Sequence, residues 1–224
     1  MKIFVVVPAY NEEKTIGKVI LDLMSMGFEV VVVDDGSTDD TYNIVNSIFK
    51  EKKKGILCKH LLNRGLGGAL RTGIEAALIE DPDVIVTFDA DGQHDPQDIL
   101  NVSKHIMNDE ADVVVGKRNF AEMPSSKKFG NLIMNAITLI FYGIRVNDSQ
   151  SGLRAFNSKA AETIIINARD YGVSSEIVGE VKRHNLRFKE IPIKTIYTEY
   201  SMTKGTNTSE GLKILVKLIF NILK

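Results

Sequence analysis

Two acidic residues separated by one alanine, Asp89 and Asp91, are the residues of this sequence best suited to catalysis. They directly follow Val84 to Phe88, an apolar run typical of a buried strand. Carboxylates held at the end of a strand can share a hard cation such as Mg²⁺ or Mn²⁺ with a phosphate. Such a metal neutralises the charge that develops on a diphosphate leaving group. The alternative, a solvated turn with capping acids, is disfavoured by the position after a buried strand.

A second acidic pair, Asp34 and Asp35, follows another apolar run, Val30 to Val33. An acid at this point can accept hydrogen bonds from a ribose hydroxyl or a base N–H, as acids do in other doubly wound nucleotide sites. Ser37 and Thr38 predict capping of the next helix. Both interpretations stand together, because different residues perform the two roles.

Residues 8–12, Pro-Ala-Tyr-Asn-Glu, end the first apolar run of the chain. Tyr10 could pack against a nucleobase and Glu12 could bind a ribose, whereas the structural alternative is helix capping by Asn11. The glycine-rich segment 63–71 is neither a dinucleotide fingerprint nor a Walker loop, although its bare backbone could approach a ligand.

Single histidines and the cysteine carry weaker signals. His94 lies beside the acidic motif, so a metal or substrate contact is one interpretation and a structural role is the other. The remaining histidines are expected to be structural or exposed. Cys58 is the only cysteine, which excludes an internal disulfide, and its apolar neighbours predict a buried strand residue.

Strands and helices must alternate if these motifs are to meet at one site. Continuous apolar runs are typical of parallel strands covered on both faces, and helical patterns separate them here. This rhythm predicts an α/β fold with a doubly wound, mostly parallel sheet and helices on both faces, with ligands at the carboxyl ends of the strands. The apolar runs are 3–7, 30–33, 84–88 and 113–115, and the helical patterns are about 12–26, 38–50, 66–80 and 96–108.

The second half of the chain is less regular. Residues 131–142 are almost entirely apolar, and 188–196 predict a strand in which Pro192 favours an edge position. We expect one catalytic domain over 1–210 and an amphipathic helix over 211–224. The formal net charge of −1 implies no attraction to nucleic acid, and the single cysteine fits a reducing, cytoplasmic setting. We expect neither a signal peptide nor a helix that spans a bilayer.

The order of these motifs resembles glycosyltransferase family 2, and within it the polyprenyl-phosphate (dolichyl-phosphate) sugar synthases. The resemblance covers about residues 3–204. It rests on 7–13 (VPAYNEE), 32–39 (VVDDGSTD), 63–69 (NRGLGGA), 88–94 (FDADGQH), 116–118 (GKR) and 148–156 (DSQSGLRAF), with Glu176 and 190–193 (EIPI) after them.

The resemblance implies a GT-A fold and an inverting transfer from a nucleoside-diphosphate sugar. It implies that Mg²⁺ or Mn²⁺ and the diphosphate are surrounded by Asp89, Asp91 and Gln93. It further implies that the nucleoside is held by Pro8, Tyr10, Glu12 and Asp35, and that Arg118 and Arg154 face the phosphates or the acceptor.

The chemistry of the acceptor decides which further residues are needed. A phosphate is already anionic near neutral pH, since its second pKa is about 6. It therefore needs positioning by cations, for which Lys127, Lys128, Arg118 and Arg154 are the candidates. A hydroxyl of a soluble saccharide or a protein is the alternative acceptor, and it needs a general base. Glu176 is then the first candidate base and Asp148 the second, although a structural ion pair or a sugar-binding role explains Glu176 equally well.

One departure from the family pattern concerns the donor. Mannose-transferring members carry an arginine where this chain has Thr198 and a glycine where it has Ser201, whereas Thr203 and Lys204 do fit. We expect Lys204 to contact the diphosphate. The missing arginine favours a UDP-sugar over GDP-mannose.

Two segments predict contact with a membrane surface. Residues 131–142 follow two lysines, and 211–224 set cations beside a broad apolar face, which is what an interfacial helix needs. Peripheral attachment to the cytoplasmic leaflet would follow. The alternative is that both segments pack on the core or form a homodimer contact. A nucleotidyltransferase is disfavoured by residues 8–12, and a non-enzymatic protein is disfavoured by the intact Asp89 and Asp91.

Overall fold

The computed structural model describes residues 2–121, 123–170 and 172–196. Thr198, Ser201, Lys204 and the segment 211–224 lie outside the described residues. The strands are β1 (Ile3–Ala9), β2 (Glu29–Asp34), β3 (Ile56–Lys59), β4 (Val84–Thr87), β5 (Val113–Arg118), β6 (Arg154–Phe156) and β7 (Phe188–Ile193). The helices are α1 (Ile16–Ser25), α2 (Thr41–Lys52), α3 (Gly65–Leu78), α4 (Gln97–Met107), α5 (Ser125–Tyr142), α6 (Ser158–Thr163) and α7 (Gly172–Arg183).

A 7-stranded sheet with the order β3-β2-β1-β4-β6-β5-β7 forms the centre of the fold. The strands run parallel except for β6, which is antiparallel to both β4 and β5. The predicted mostly parallel sheet is confirmed. Because β6 runs in the opposite direction, its first residue, Arg154, lies at the same edge as the carboxyl ends of the other strands.

Helices cover both faces of the sheet, which explains why the strands are apolar on both sides. Alternate residues of β1 point to opposite faces, so that Val5 and Val7 pack on one side and Phe4 and Val6 on the other. The first side is covered by α1, α2 and α4, and the second by α3, α6 and α7.

Two residues show the effect of an edge position. Pro192 lies in β7, which among the described residues pairs with β5 alone and forms one edge of the sheet, as the sequence predicts. A proline is tolerated there because the missing N–H need not bond a further strand. Cys58 lies in β3, the opposite edge strand, and it is therefore only half-buried where full burial was expected. Burial raises the pKa of its thiol.

Helix α5 begins earlier than the apolar stretch predicts and has two different sides. Its buried side contacts α7, where the Thr138 hydroxyl donates to Ser175 Oγ at 2.8 Å. Its other side leaves large apolar groups exposed, and within the described residues no helix is both long and apolar enough to cross a membrane. The exposed groups on this side are Phe129, Leu132, Leu139 and Ile140, whereas the partly exposed Tyr142 packs against Gly179 of α7.

Candidate active site

Asp89 follows β4 directly and is held from two sides. The buried His94 places Nε2 3.1 Å from Asp89 Oδ2, and the His94 ring packs edge-on against Phe88 with centroids 5.5 Å apart. On the other side, a Cβ on Gly152 would lie 2.0 Å from Asp89 Oδ2. Only glycine therefore lets the 148–154 segment lie this close to the carboxylate. His94 is a neighbour of the acidic pair, as its position in the sequence suggests.

Asp91 is joined to Gln93 and, through it, to α5. Its carboxylate accepts the backbone N–H of Gln93 at 3.0 Å and also the Gln93 side-chain amide. The Gln93 side-chain oxygen accepts a hydrogen bond from Lys127 Nζ at 3.5 Å. Gln93 thus orients Asp91 and joins it to Lys127, whereas Lys128 is exposed.

The two carboxylates have opposite pKa shifts. Burial opposes ionisation of Asp89, but the hydrogen bond from His94 and the nearby charges of His94, Arg154 and Arg118 hold its pKa below the ordinary value. Burial and the negative charge of Asp89 raise the pKa of Asp91. An ionised pair so close together is stabilised by a cation, and carboxylate oxygens are the ligands that Mg²⁺ and Mn²⁺ prefer. The donor set therefore fits a divalent metal.

Arg118 at the end of β5 is fixed by a two-pronged ion pair. Its Nε and Nη2 donate to Asp148 Oδ2 and Oδ1 at 2.7 and 2.8 Å. Asp148 is fully buried and also accepts the Asn131 side-chain amide at 2.6 Å. Burial opposes ionisation of Asp148, but the bonds from Arg118 hold its pKa below the ordinary value. The pair positions a cation at the sheet edge.

Arg154 lies below the site and not at its surface. Its side chain is 1% exposed, and Nη2 donates to Ser174 Oγ at 2.7 Å on α7. Its Nε has no hydrogen-bond partner among the described residues. Burial lowers the pKa of its guanidinium to about 10, against the opposing charges of Asp89 and Asp148. Because it is enclosed, Arg154 supports the carboxylates from beneath, which differs from the expectation that it faces a substrate.

The loops after β1 and β2 are joined to each other. Asn11 accepts the backbone N–H of Thr38 at 2.8 Å, and the hydroxyl of Thr41 accepts the N–H of Glu12 at 2.8 Å. Tyr10 is 44% exposed at this edge and Pro8 is half-buried in β1. The expected nucleoside residues of this loop therefore lie at the carboxyl edge of the sheet, with the Tyr10 ring accessible.

Asp35 is buried and already has several hydrogen-bond partners. Its Oδ1 lies 2.6 Å from His60 Nδ1 and accepts the N–H of Arg64 at 2.8 Å, while Oδ2 accepts the N–H of Gly65 at 2.8 Å. The other ring nitrogen of His60 lies 3.0 Å from the Thr72 hydroxyl. Asp35 thus fixes the start of α3, a role that its position after a strand does not reveal.

The glycines of 63–71 are required by packing. A Cβ on Gly67 would lie 1.9 Å from the backbone oxygen of Ala168, and one on Gly73 would lie 2.3 Å from Val6. Gly65 has φ +80 and donates to Asp35. These contacts explain the glycines by close approach of α3 to the sheet and to the 168–169 segment.

Glu176 contacts backbone groups of the loop after α6. Its Oε2 accepts the N–H groups of Asn167 and Ala168 at 3.0 and 2.7 Å. The carboxylate therefore stabilises that loop through backbone N–H groups, and not through the ion pair that was the structural alternative for this residue.

A groove of about 970 Å³ opens beside Arg118, between the ends of β5 and β7 and the exposed side of α5. Cationic and apolar groups share its lining. The cations are Lys117, Arg118, Arg145 and Lys194, and the apolar groups include Leu132, Ala136, Leu139, Val146, Pro192 and Ile193.

Sequence reasoning assigns no role to Asn131 or His60, although each contacts a predicted site acid. Asn131 is a polar residue in an apolar stretch, four positions after Lys127 and thus on the same helix face. His60 directly follows β3, at the edge where Asp35 follows β2. These positions are the signals that could have identified them.

The chain matches the family model described as Glycosyl transferase family 2 over residues 4–167. It is 51% identical to the protein MJ1222 of Methanocaldococcus jannaschii, over 97% of this chain and 91% of that protein. It is 43% identical to the UDP-N-acetylglucosamine–dolichyl-phosphate N-acetylglucosaminyltransferase of Methanococcus voltae, over 97% of this chain and 94% of the relative.

Among solved structures, the fold resembles glucosyl-3-phosphoglycerate synthase from Mycobacterium tuberculosis in complex with Mn²⁺, UDP and phosphoglyceric acid. The TM-score is 0.66 at 19% identity, and the match covers 97% of this chain and 77% of that one. At this identity the likeness shows the fold alone, which is the expected GT-A fold.

Proposed function

Because this chain belongs to glycosyl transferase family 2, we propose that it moves a sugar from a nucleoside-diphosphate sugar to a polyprenyl (dolichyl) phosphate with inversion at the anomeric carbon. The observation that carries this proposal is the groove in which the cation Arg118 adjoins a long apolar wall. An anionic head on a hydrocarbon chain has the matching chemistry. The chain is a glycosyltransferase, and the nature of its acceptor is what we infer.

The donor side of the site rests on Asp89 and Asp91. A divalent metal bound to these two carboxylates would neutralise the negative charge on the departing diphosphate. The structurally similar synthase of M. tuberculosis binds Mn²⁺ and UDP, which supports Mn²⁺ or Mg²⁺ here. Asp89 is oriented by His94 and Asp91 by Gln93, so both carboxylates are held before substrate binds. Tyr10, Pro8 and Glu12 are our proposed contacts to the nucleoside.

In the proposed reaction, an oxygen of the acceptor phosphate attacks the anomeric carbon while the bond from that carbon to the diphosphate breaks. The products are a sugar phosphodiester and a free nucleoside diphosphate, and the electron pair of the broken bond stays on the diphosphate. Arg118, fixed by Asp148, holds the attacking phosphate. Lys127, which donates to the side-chain oxygen of Gln93, is our proposed second cation near the attacking group.

The surroundings of the two candidate bases, Glu176 and Asp148, also favour a phosphate as the acceptor. A hydroxyl acceptor needs a free general base. Glu176 is bonded to two backbone N–H groups, and Asp148 is bonded to Arg118 with a lowered pKa. With its pKa lowered, Asp148 is a poor proton acceptor, and Glu176 Oε2 already has two backbone donors. An acceptor phosphate needs no base, because it is already anionic.

A UDP-sugar is the donor we favour. The relative from Methanococcus voltae is named for UDP-N-acetylglucosamine, and Thr198 stands where mannose-transferring members carry an arginine. Lys204 is our proposed further contact to the diphosphate. Nucleic acid is no partner in this proposal.

Attachment to a membrane surface follows from a lipid acceptor. The exposed apolar side of α5 supports peripheral attachment, which places the groove next to the lipid. The helix over 211–224, the cytoplasmic face and a homodimer stay predictions.

The test measures transfer from labelled UDP- and GDP-sugars to dolichyl phosphate, with Mn²⁺ or Mg²⁺ and with chelator. We expect labelled lipid from a UDP-sugar, and loss of that product with chelator. Donor turnover without labelled lipid would move the acceptor to a saccharide or protein. Loss of the apolar wall is tested by Leu132→Asp, which should raise the KM for dolichyl phosphate. Leu100→Asp on α4 is the matched control, since the two leucines are 53% and 45% exposed.

A further inference from the structure

The turn between β3 and α3 exposes two neighbouring leucines. Leu61 is 94% and Leu62 is 78% exposed, which are among the highest exposures of any large apolar residue in the described part of the chain. Leu66, at the start of α3, is 37% exposed beside them. A pair of leucines held almost wholly in water is unfavourable for a chain that stays in solution.

Hydrogen bonds on both sides fix this turn. Before the leucines, the N–H of His60 donates to the backbone oxygen of Asp34 at 2.9 Å. After them, Arg169 Nη2 donates to the backbone oxygen of Asn63 at 2.7 Å, and Asp35 accepts the N–H groups of Arg64 and Gly65. The leucines therefore project from a rigid base and cannot fold back onto the core.

The turn lies at the same edge of the sheet as the active site. It follows the carboxyl end of β3, and Asp89 follows the carboxyl end of β4, which is parallel to β3 through β1 and β2. A lipid phosphate that reaches Asp89 must approach this edge, so the edge faces the bilayer if the proposed function holds.

Charges around the turn suit a lipid surface. Three exposed cations flank the leucines, namely Lys59, Arg64 and Arg169, and the exposed acid beside them is Asp170. Lys59 Nζ lies 4.1 Å from the centroid of the Tyr42 ring, which keeps this cation at the base of the turn. Leucines with cations set behind them fit the acyl region and the phosphates of an interface.

We propose that Leu61 and Leu62 insert into the interface of a lipid bilayer and, together with the exposed side of α5, orient the active site toward its lipid acceptor. This inference rests on the proposed function for its purpose, but membrane binding by the turn can be measured without any transfer. The proposed binding partner of this turn is the surface of a lipid bilayer.

The experiment compares the full chain with the double variant Leu61→Gln/Leu62→Gln in sedimentation with vesicles. The vesicles are phosphatidylcholine alone or phosphatidylcholine mixed with phosphatidylglycerol. Since insertion of one leucine is worth about tenfold in partition, the double variant should bind on the order of a hundredfold more weakly. Lys59→Gln should weaken binding to the mixed vesicles by about fivefold and have little effect on the uncharged ones.

Ile79→Gln is the matched control, because Ile79 is 83% exposed but follows α3 at the opposite edge of the sheet. We expect its vesicle binding to equal that of the wild type. Equal binding by the double variant, equal loss in the Ile79 variant, or no vesicle binding by the wild type would each overturn the proposal. If the double variant lost a dimer that the wild type forms, the leucines would serve self-association and the proposal would be wrong. If it had a raised KM for the nucleotide sugar, the leucines would belong to the donor site and the proposal would also be wrong.

The two proposals fail separately. If no sugar reaches dolichyl phosphate but the double variant loses vesicle binding, the membrane surface stands and the acceptor is wrong. If the wild type and the double variant form labelled lipid equally fast in vesicles, dolichyl phosphate is supported as the acceptor and the proposed insertion of Leu61 and Leu62 is wrong.

Discussion

Replacing Asp148 by asparagine should cost both stability and turnover, because Asp148 is the buried anchor of Arg118. The carboxylate is fully buried and bonds Arg118 Nε and Nη2 and the Asn131 amide. Asparagine keeps the shape but removes the charge. It also turns one acceptor into an NH₂ group, which then meets a donor of either Arg118 or Asn131.

The expected loss of stability in the Asp148→Asn variant follows from the burial of the Arg118–Asp148 ion pair. Removing one partner of a buried ion pair costs about 3 to 5 kcal/mol, and because Arg118 keeps 18% of its side chain exposed the lower figure applies. For a chain of this size, about 3 kcal/mol lowers the Tm by about 6 to 12 °C. An unfixed Arg118 should also lower kcat by about a hundredfold, the usual effect of a misplaced positioning group.

The sign of the pH dependence follows from the lowered pKa of Asp148. Its carboxyl ionises more readily in the folded chain than at the ordinary value of 3.8, so the stabilisation is present above that value. It is lost as the pH falls through the lower, folded pKa. The difference in unfolding free energy between wild type and variant should therefore be constant at neutral pH and shrink only below about pH 4.

Urea unfolding followed by circular dichroism, at several pH values, measures this difference. The matched control is Asp22→Asn, which removes the same charge from a pair with the exposed Lys18. Lys18 and Asp22 are 82% and 43% exposed, and ion pairs in water contribute little to stability. If the two variants lose equal stability, or if Asp148→Asn keeps full turnover, the assigned anchoring role is refuted.

Three other substitutions and metal removal test the site. Asp91→Ala should abolish transfer with little change in the urea midpoint, and normal turnover in that variant would exclude Asp91 from the metal site. Chelator should lower wild-type turnover to the same level, and restored activity on adding Mn²⁺ checks that the loss comes from the metal. Gly152→Ala places a Cβ 2.0 Å from the Asp89 carboxylate and should cost about 1 to 3 kcal/mol and most of the activity; a crystal structure of the variant with Asp89 unmoved would contradict this. Glu176→Gln retains an oxygen for the loop and should change kcat by only a few-fold, whereas a loss of about a hundredfold or more would mean that Glu176 is a base after all.

Local patterns in the sequence predict much of this fold. Apolar runs closed by a proline, an acid or a glycine identify β1, β2, β4 and β5, because a strand covered on both faces must be apolar throughout. The predicted helices begin and end within a few residues of α1 to α4. The insertion of β6 between β4 and β5 is not predictable in this way, since strand order depends on pairing over long separations.

In the candidate site, too, local motifs are predictable from the sequence and long-range contacts are not. Asp89 and Asp91 are identified by sequence, because a short motif after a buried strand carries both its chemistry and its position. The contacts that fix the site are not, since Gly152 reaches Asp89, and Asp148 reaches Arg118, from distant parts of the chain. Arg154 illustrates the difference. Its motif predicts a cation that faces the substrate, but in the structure its side chain is enclosed beneath Asp89.

By itself, then, the sequence determined the family, the alternation of strand and helix and the edge at which acids gather, since each depends on residues close together in the chain. Only the tertiary structure decided which of those acids remain available for a ligand. Asp35 and Glu176 accept backbone N–H groups of distant loops, and Asp148 accepts Arg118. The physical reason is that a buried or half-buried carboxylate accepts hydrogen bonds from the donors that the packed chain brings to it, and those donors lie 8 to 30 residues away in sequence.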